Sequence, residues 1–306
     1  MEINLVSVVV PNYNHEPFLK CRLESIFSQT YANFEVILLD DASNDKSVKI
    51  LESYANHSKV SHFVVNDFNS GSPFAQWEKG IKLAKGDYVW IAESDDFCES
   101  NFLETMIGML KPSVSIAYCC SSVVDNQGKF LKINDWASEL NKTKWNDSYI
   151  NSGLSELKDY LKYRNTIPNA SSVLFKRSDI LKISFPTDYF YCGDWLIWCE
   201  LAKMGDIAYS NQCLNHFRKH QLTTRFTKNI DKERIRFNEY FKLITSYNTF
   251  FERIFNMNKF RWIVDEWLEK SKHFGFFKAL SLSMPLEIYL YFLSKLFLYK
   301  LHKKIR

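Results

Sequence analysis

The chain has 306 residues, 46% of them hydrophobic, 24% charged and 16% aromatic, with a formal net charge of +4 at pH 7. That suits one large folded domain with an appendage, or two modest ones, and excludes a disordered or fibrous chain. A charge so small and so evenly spread argues against a nucleic-acid partner, and none is expected.

Seven cysteines (Cys21, Cys98, Cys119, Cys120, Cys192, Cys199, Cys213) include no CxxC pair. They are expected to be reduced core residues of a cytoplasmic protein, and no zinc site is expected. The opening Met1-Glu2-Ile3-Asn4 lacks the basic, apolar and small-residue order of a signal peptide. No run of 18 apolar residues predicts a spanning helix.

Residues 5–10 form an apolar, β-branched run that Pro11 is expected to halt, as in a central parallel strand. Pro17 suits a first helical turn, after which Leu19, Leu23, Ile26 and Phe27 share one face. Residues 34–39 repeat the strand pattern and end in Asp40-Asp41. Ser43 to Asp45 offer caps for a helix carrying Val48, Leu51 and Tyr54. A third strand, near 60–65, leads to a polar loop, a helix from Pro73 to Ala84, and the stop residue Gly86.

Then residues 87–92 read as a strand ending in Glu93-Ser94-Asp95-Asp96. Three carboxylates in four positions repel one another unless a cation or a hydrogen-bond network answers them. Mg²⁺ or Mn²⁺ is the usual answer, bridging protein carboxylates to substrate phosphates. A solvated acidic turn is the bland reading. Four strands alternating with three helices predict a parallel, doubly wound sheet, with ligands beyond the strands' carboxyl ends. Both acidic strand ends, Asp40-Asp41 and 93–96, fall there.

After Asn101 the rhythm changes. A helix to Leu110 precedes strands near 113–123 and 129–133, joined by the hairpin turn Asn126-Gln127-Gly128. Residues 136–152 suit a lid or acceptor loop. Another strand is expected at 171–176, a helix at 194–204, and two short closing strands at 207–210 and 213–217. From about Lys228 the pattern is helical.

Together these motifs resemble a family-2 glycosyltransferase of the GT-A fold, over roughly residues 5–225. The resemblance rests on Ser7-Val8-Val9-Val10-Pro11-Asn12-Tyr13-Asn14, Leu23-Glu24-Ser25-Ile26-Phe27-Ser28-Gln29-Thr30 and Phe34-Glu35-Val36-Ile37-Leu38-Leu39-Asp40-Asp41-Ala42-Ser43. Asn69-Ser70-Gly71 and Ala84-Lys85-Gly86-Asp87-Tyr88-Val89 continue it. It implies an α/β fold, a Rossmann-like and mostly parallel sheet flanked by helices. The catalytic domain would cover 1–227, with its nucleotide-binding half about 1–98 and its acceptor half about 99–227. A helical C-terminal region would cover 228–306.

By the resemblance, Pro11 and Tyr13 wall the nucleotide base, and Asp41 accepts from a pyrimidine imide. Asp95 and Asp96 match the metal and ribose carboxylates of a DXD-type motif. Glu93 departs from the first Asp of that motif and leaves open which carboxylates touch the ion, with Asp95 and Asp96 favoured. His220 matches a histidine near the diphosphate and metal. Arg218 and Lys219 would balance diphosphate charge, and Arg225 would close over it. Asp194, in Cys192-Gly193-Asp194-Trp195, matches the catalytic base; it also suits a helix cap, and the two roles are compatible. Trp77 is expected to pack under the sheet, with Gln76 or Lys79 facing the nucleotide.

The implied activity is inverting, Mn²⁺- or Mg²⁺-dependent transfer of a sugar from a nucleotide-diphosphate donor, a UDP-sugar favoured. The acceptor would be a hydroxyl of a surface glycan or lipid-linked saccharide. Nucleotidyl transfer is an alternative, against which the loop 11–17 has no Gly, Lys or Arg for a triphosphate; a non-catalytic carbohydrate-binding protein is another. Residues 285–301 are nearly apolar all round and run into a basic end. That predicts either an interfacial helix at the inner face of the membrane or a core or homodimer helix.

Overall fold

The structure is a computed structural model and describes residues 4–220, 229–274 and 280–304. The chain divides into two compact units, Met1–Leu161 with Asn165–Thr223, and Lys162–Arg164 with Thr224–Arg306.

The first unit begins with β1 (Val6–Asn12), α1 (Glu16–Phe27), β2 (Phe34–Asp40), α2 (Ser47–Tyr54), β3 (Val60–Val65), α3 (Pro73–Leu83) and β4 (Tyr88–Ile91). It continues through β5 (Phe97–Cys98), α4 (Phe102–Met109), β6 (Val114–Val124), β7 (Phe130–Ile133), β8 (Tyr149–Asn151) and α5 (Gly153–Glu156). Then follow β9 (Val173–Lys176), α6 (Arg177–Ile180), α7 (Gly193–Ala202) and β10 (Asp206–Arg218). The ten strands form one sheet in the order β3-β2-β1-β4-β9-β6-β10-β5, with β7 on β6 and β8 on β10. The β3-β2-β1-β4 half is parallel throughout. Every residue of β1 and β2 is buried, as helices on both faces require.

Three expectations need correction. Pro11 does not halt β1, which pairs with β2 as far as Asn12. On its other side β4 stops opposite Val9, so the missing Pro11 N–H leaves no ladder bond unmade there. The two closing strands are one, β10, whose register against β6 shifts between Ser210 and Cys213, so that polar Asn211-Gln212 ride on a bulge. The cysteines are not all reduced: the register sets Cys120 opposite Cys213 with Cα atoms 4.3 Å apart, and the two are joined as a disulfide.

The second unit holds α8 (Ile230–Tyr247), α9 (Phe250–Phe255), α10 (Arg261–Phe274) and α11 (Leu286–Lys304). The Asn229 side chain caps α8, and Thr249 with Glu252 forms a reciprocal capping box on α9. Phe237, Ile244, Phe260, Ile263, Trp267, Ile288 and Phe292 make its core. The fully buried Glu233 is answered by Arg236 at 2.5 Å and Lys270 at 2.9 Å, which meets the desolvation cost of a buried charge. Among the described residues no helix is long and apolar enough to cross a membrane. Arg225 and Lys228 lie outside the described residues.

Candidate active site

The site lies where β1, β2 and β4 end. Beyond β1, Pro11 is buried and Tyr13 is 45% exposed. Asp40 is a latch, accepting from Asn12 Nδ2 at 2.7 Å and from the backbone and hydroxyl of Ser43 at 2.8 Å. Ala42 makes the return with φ +61°, a left-handed conformation that costs a residue with a Cβ about 1–2 kcal/mol. Asp41 is buried and gathers donors from the β3–α3 loop and from α3. Its Oδ1 accepts from Asn66 Nδ2 (2.7 Å), Gln76 Nε2 (2.8 Å) and the Ser70 N–H (2.9 Å), and its Oδ2 accepts from Ser70 Oγ (2.7 Å). Gln76 Oε1, buried beside it, has no hydrogen-bond partner. Lys79 is spent on Asn66.

Past β4 the carboxylates have separate fates. Glu93 accepts from Trp77 Nε1 at 2.8 Å; burial, then the charge of Asp95, pushes its carboxyl up to about 8. Asp96 accepts from the Arg218 N–H (2.9 Å) and Asn169 Nδ2 (3.1 Å), and burial with the same neighbour pushes it up to about 6. Asp95 goes the other way. Burial opposes its charge, but His15 and His220 outweigh burial and hold it below the usual carboxylate range. His220 Nε2 lies 2.9 Å from Asp95 Oδ2, and the ring nitrogen Nδ1 of His15 lies 2.8 Å from Ser94 Oγ. One potential ligand atom from each of His15, Asp95 and His220 falls within 4.8 Å of the others.

Two arginines brace this cluster from inside. Arg218 is 3% exposed: its Nε donates to Asp95 O at 2.8 Å and its Nη1 to Asn126 O at 3.0 Å, between the rings of Phe18 and Phe97. Arg22 is fully buried over Trp90, with Nε donating to Glu93 O at 2.8 Å and neither terminal nitrogen partnered.

Asp194 stands in the first turn of α7. The N-cap of α7 is Cys192, so Asp194 does not cap the helix as expected; its Oδ1 accepts from the adjacent Trp195 N–H at 2.7 Å, and its Oδ2 from Asn165 Nδ2 at 3.1 Å. The strap from Asn165 to Ser172 ties it to the acidic cluster, because Asn169 holds Asp96, Ser171 Oγ accepts from the Glu93 N–H and Ser171 O accepts from Trp90 Nε1. A second link is apolar. A Cβ on Gly193 would stand 2.7–2.8 Å from the ring of Phe74, and Phe74 packs edge-on against Trp77, the partner of Glu93. Gly193→Ala is therefore expected to cost about 1–3 kcal/mol, seen as a lower midpoint in urea unfolding. An unshifted midpoint would show that Phe74 swings away freely.

Asp96, expected beside the ion, accepts from Asn169 on one oxygen and from the Arg218 N–H on the other. Arg218, expected at the diphosphate, has its guanidinium on the carbonyls of Asp95 and Asn126, where it clamps the acidic loop. The structure sets His15 with Asp95 and His220. Sequence reading missed His15, Asn165, Asn169 and Arg22. For His15 a signal existed, a polar ring between a strand exit and Pro17; for the others the pairing is long-range.

The family model for glycosyl transferase family 2 matches residues 7–180. The chain belongs to that family. This glycosyltransferase is 28% identical to the Escherichia coli UDP-Glc:alpha-D-GlcNAc-diphosphoundecaprenol beta-1,3-glucosyltransferase WfgD, over 69% of this chain and 75% of that one. Its fold is shared with S. aureus TarS 1–349 in complex with UDP-GlcNAc, at TM-score 0.62 and 21% identity, over 92% of this chain and 76% of that one. The mannosyltransferase PcManGT from Pyrobaculum calidifontis, in complex with GDP-Man and Mn²⁺, aligns at TM-score 0.52 and 16% identity over 98% and 82%. The glycosyltransferase thus has the GT-A fold that its sequence resembled.

Proposed function

We propose that this glycosyltransferase moves a sugar, with inversion, from a nucleotide-diphosphate donor to a hydroxyl of a surface glycan or lipid-linked saccharide. The observation that carries the reading is the His15–Asp95–His220 group just past β4, with Asp194 tied to the neighbouring Asp96 and Glu93 through the 165–172 strap. Nucleotide-sugar ligands in structural neighbours, and the UDP-Glc and diphosphoundecaprenol in a relative's name, support a UDP-sugar and a lipid-linked acceptor.

In this reading Pro11 and Tyr13 flank the base, and Asp41 with the spare Gln76 oxygen offers acceptors to an imide N–H. Two imidazoles and a carboxylate suit Mn²⁺ better than Mg²⁺, which prefers oxygen ligands. A divalent ion held by His15, Asp95 and His220 would neutralise charge on the departing diphosphate. Asp96 and Arg218 position that group rather than touch it. Asp194 takes the proton of the acceptor hydroxyl as its oxygen attacks, and its negative charge favours an oxocarbenium-like transition state.

The test is nucleotide release from a panel of UDP-, dTDP- and GDP-sugars with Mn²⁺, together with Mn²⁺ titration calorimetry. One donor should be turned over, and His15→Ala should weaken Mn²⁺ binding by about 10–100-fold. Silence across the panel sinks the donor reading, and undiminished Mn²⁺ affinity removes His15 from the ligand set.

A further inference from the structure

Within the helical unit, α9 is built backwards for a helix in water. Phe250, Phe251, Ile254 and Phe255 all face solvent, with Phe251 67% and Phe255 81% exposed. Next to it, α11 exposes Leu286, Leu290 and Phe297, each at 58–65%, on one narrow face at helical spacing. These are not frayed ends. The Thr249–Glu252 box fixes the start of α9, and a buried ion pair between Arg253 and Glu287 locks α9 to α11. The buried partners of the same helices, Arg253, Glu287, Ile288 and Phe292, set which faces are left outward. Monomeric soluble proteins rarely expose so much aromatic surface in one place.

Charge says what covers it. Over the whole chain the balance reads as an even +4, but its distribution is not even. Residues 224–306 carry 17 Lys and Arg against 8 Asp and Glu, a net +9, while residues 1–223 carry 22 against 27, a net −5. An apolar surface on a strongly basic unit opposes a second copy of itself and favours a partner that is both anionic and oily.

We propose that the helical unit docks on an anionic lipid surface, with the tips of α9 and the outward face of α11 entering the headgroup–acyl boundary. Basic residues of the unit meet the headgroups, and the aromatic side chains supply the apolar contact. The unit lies on the membrane and does not span it. This surface shares no residue with the candidate active site, and the proposal does not depend on which donor or acceptor is used.

The full chain is mixed with vesicles of neutral lipid, and with vesicles carrying about a third of anionic lipid, at low and high salt. It is then sedimented, and its mass in solution is measured by light scattering. The wild type should pellet with anionic vesicles at low salt and stay in the supernatant with neutral ones. The double variant Phe251→Ser/Phe255→Ser should bind anionic vesicles about 10-fold or more weakly, with unchanged mass and unfolding midpoint. Failure of the wild type to pellet overturns the proposal, as does equal binding by the double variant. A wild-type dimer that the double variant turns into a monomer also overturns it, because a second copy would then be the cover. A lowered unfolding midpoint in the double variant shifts the comparison to Leu290→Ser, for which the same two outcomes decide.

Discussion

Asp194→Asn is expected to lower sugar transfer by about 10²–10⁴-fold while leaving donor affinity within the range of the wild type. The substitution keeps the shape of the side chain and an oxygen for the Trp195 N–H, so the start of α7 should stay intact. It removes the one thing an amide cannot supply, a lone pair basic enough to take a hydroxyl proton. Steady-state kcat together with donor binding by calorimetry separates the two effects. A variant that turns over normally would place the base elsewhere, and one that also loses the donor would make Asp194 a binding residue.

The second large effect is expected at Asp95. Replacing it with Ala takes the carboxylate from between His15 and His220, whereas its backbone carbonyl still accepts from Arg218. Mn²⁺-dependent donor affinity should fall by at least about 100-fold, the upper end of what even an outer-shell partner costs. Asp96→Asn should act more mildly and differently. An amide there can still accept from the Arg218 N–H, so the loss falls on the contact with Asn169. Donor titrations with and without Mn²⁺ distinguish the two variants. Equal dependence on Mn²⁺ in the wild type and Asp95→Ala would remove Asp95 from the ion's reach.

The parallel half of the sheet was legible because burial on both faces writes β1, β2 and β4 as continuous apolar runs, each followed by a helical period. The other half was harder. β9 was expected as a strand at 171–176, but nothing local announces that it enters between β4 and β6 in antiparallel sense, pairing with residues more than 50 positions away. β10 read as two strands because Asn211-Gln212 look like a turn, yet a bulge carries them without ending the pairing.

The carboxylates of the site stood out because a motif of neighbours carries them. Their partners did not, since His15 reaches Ser94 and Asn165 reaches Asp194 across long stretches of chain. Arg218 was recognisable as a cation near the site, but sequence does not tell a guanidinium aimed at solvent from one folded under a loop. The exposed rings of α9 were equally hidden, because a dense aromatic helix reads as core until its neighbours are placed.

Arg22 has a consequence for how the protein endures its own reaction cycle. In the proposed reaction, a divalent cation departing with spent nucleotide would leave Glu93, Asp95 and Asp96 without it after each turnover. The guanidinium sealed beneath them is a permanent counterweight, and the raised affinity of Glu93 and Asp96 for protons is a second one. On that proposal, the mouth of the sheet would keep its shape between rounds because its acidic charge is answered from within the protein.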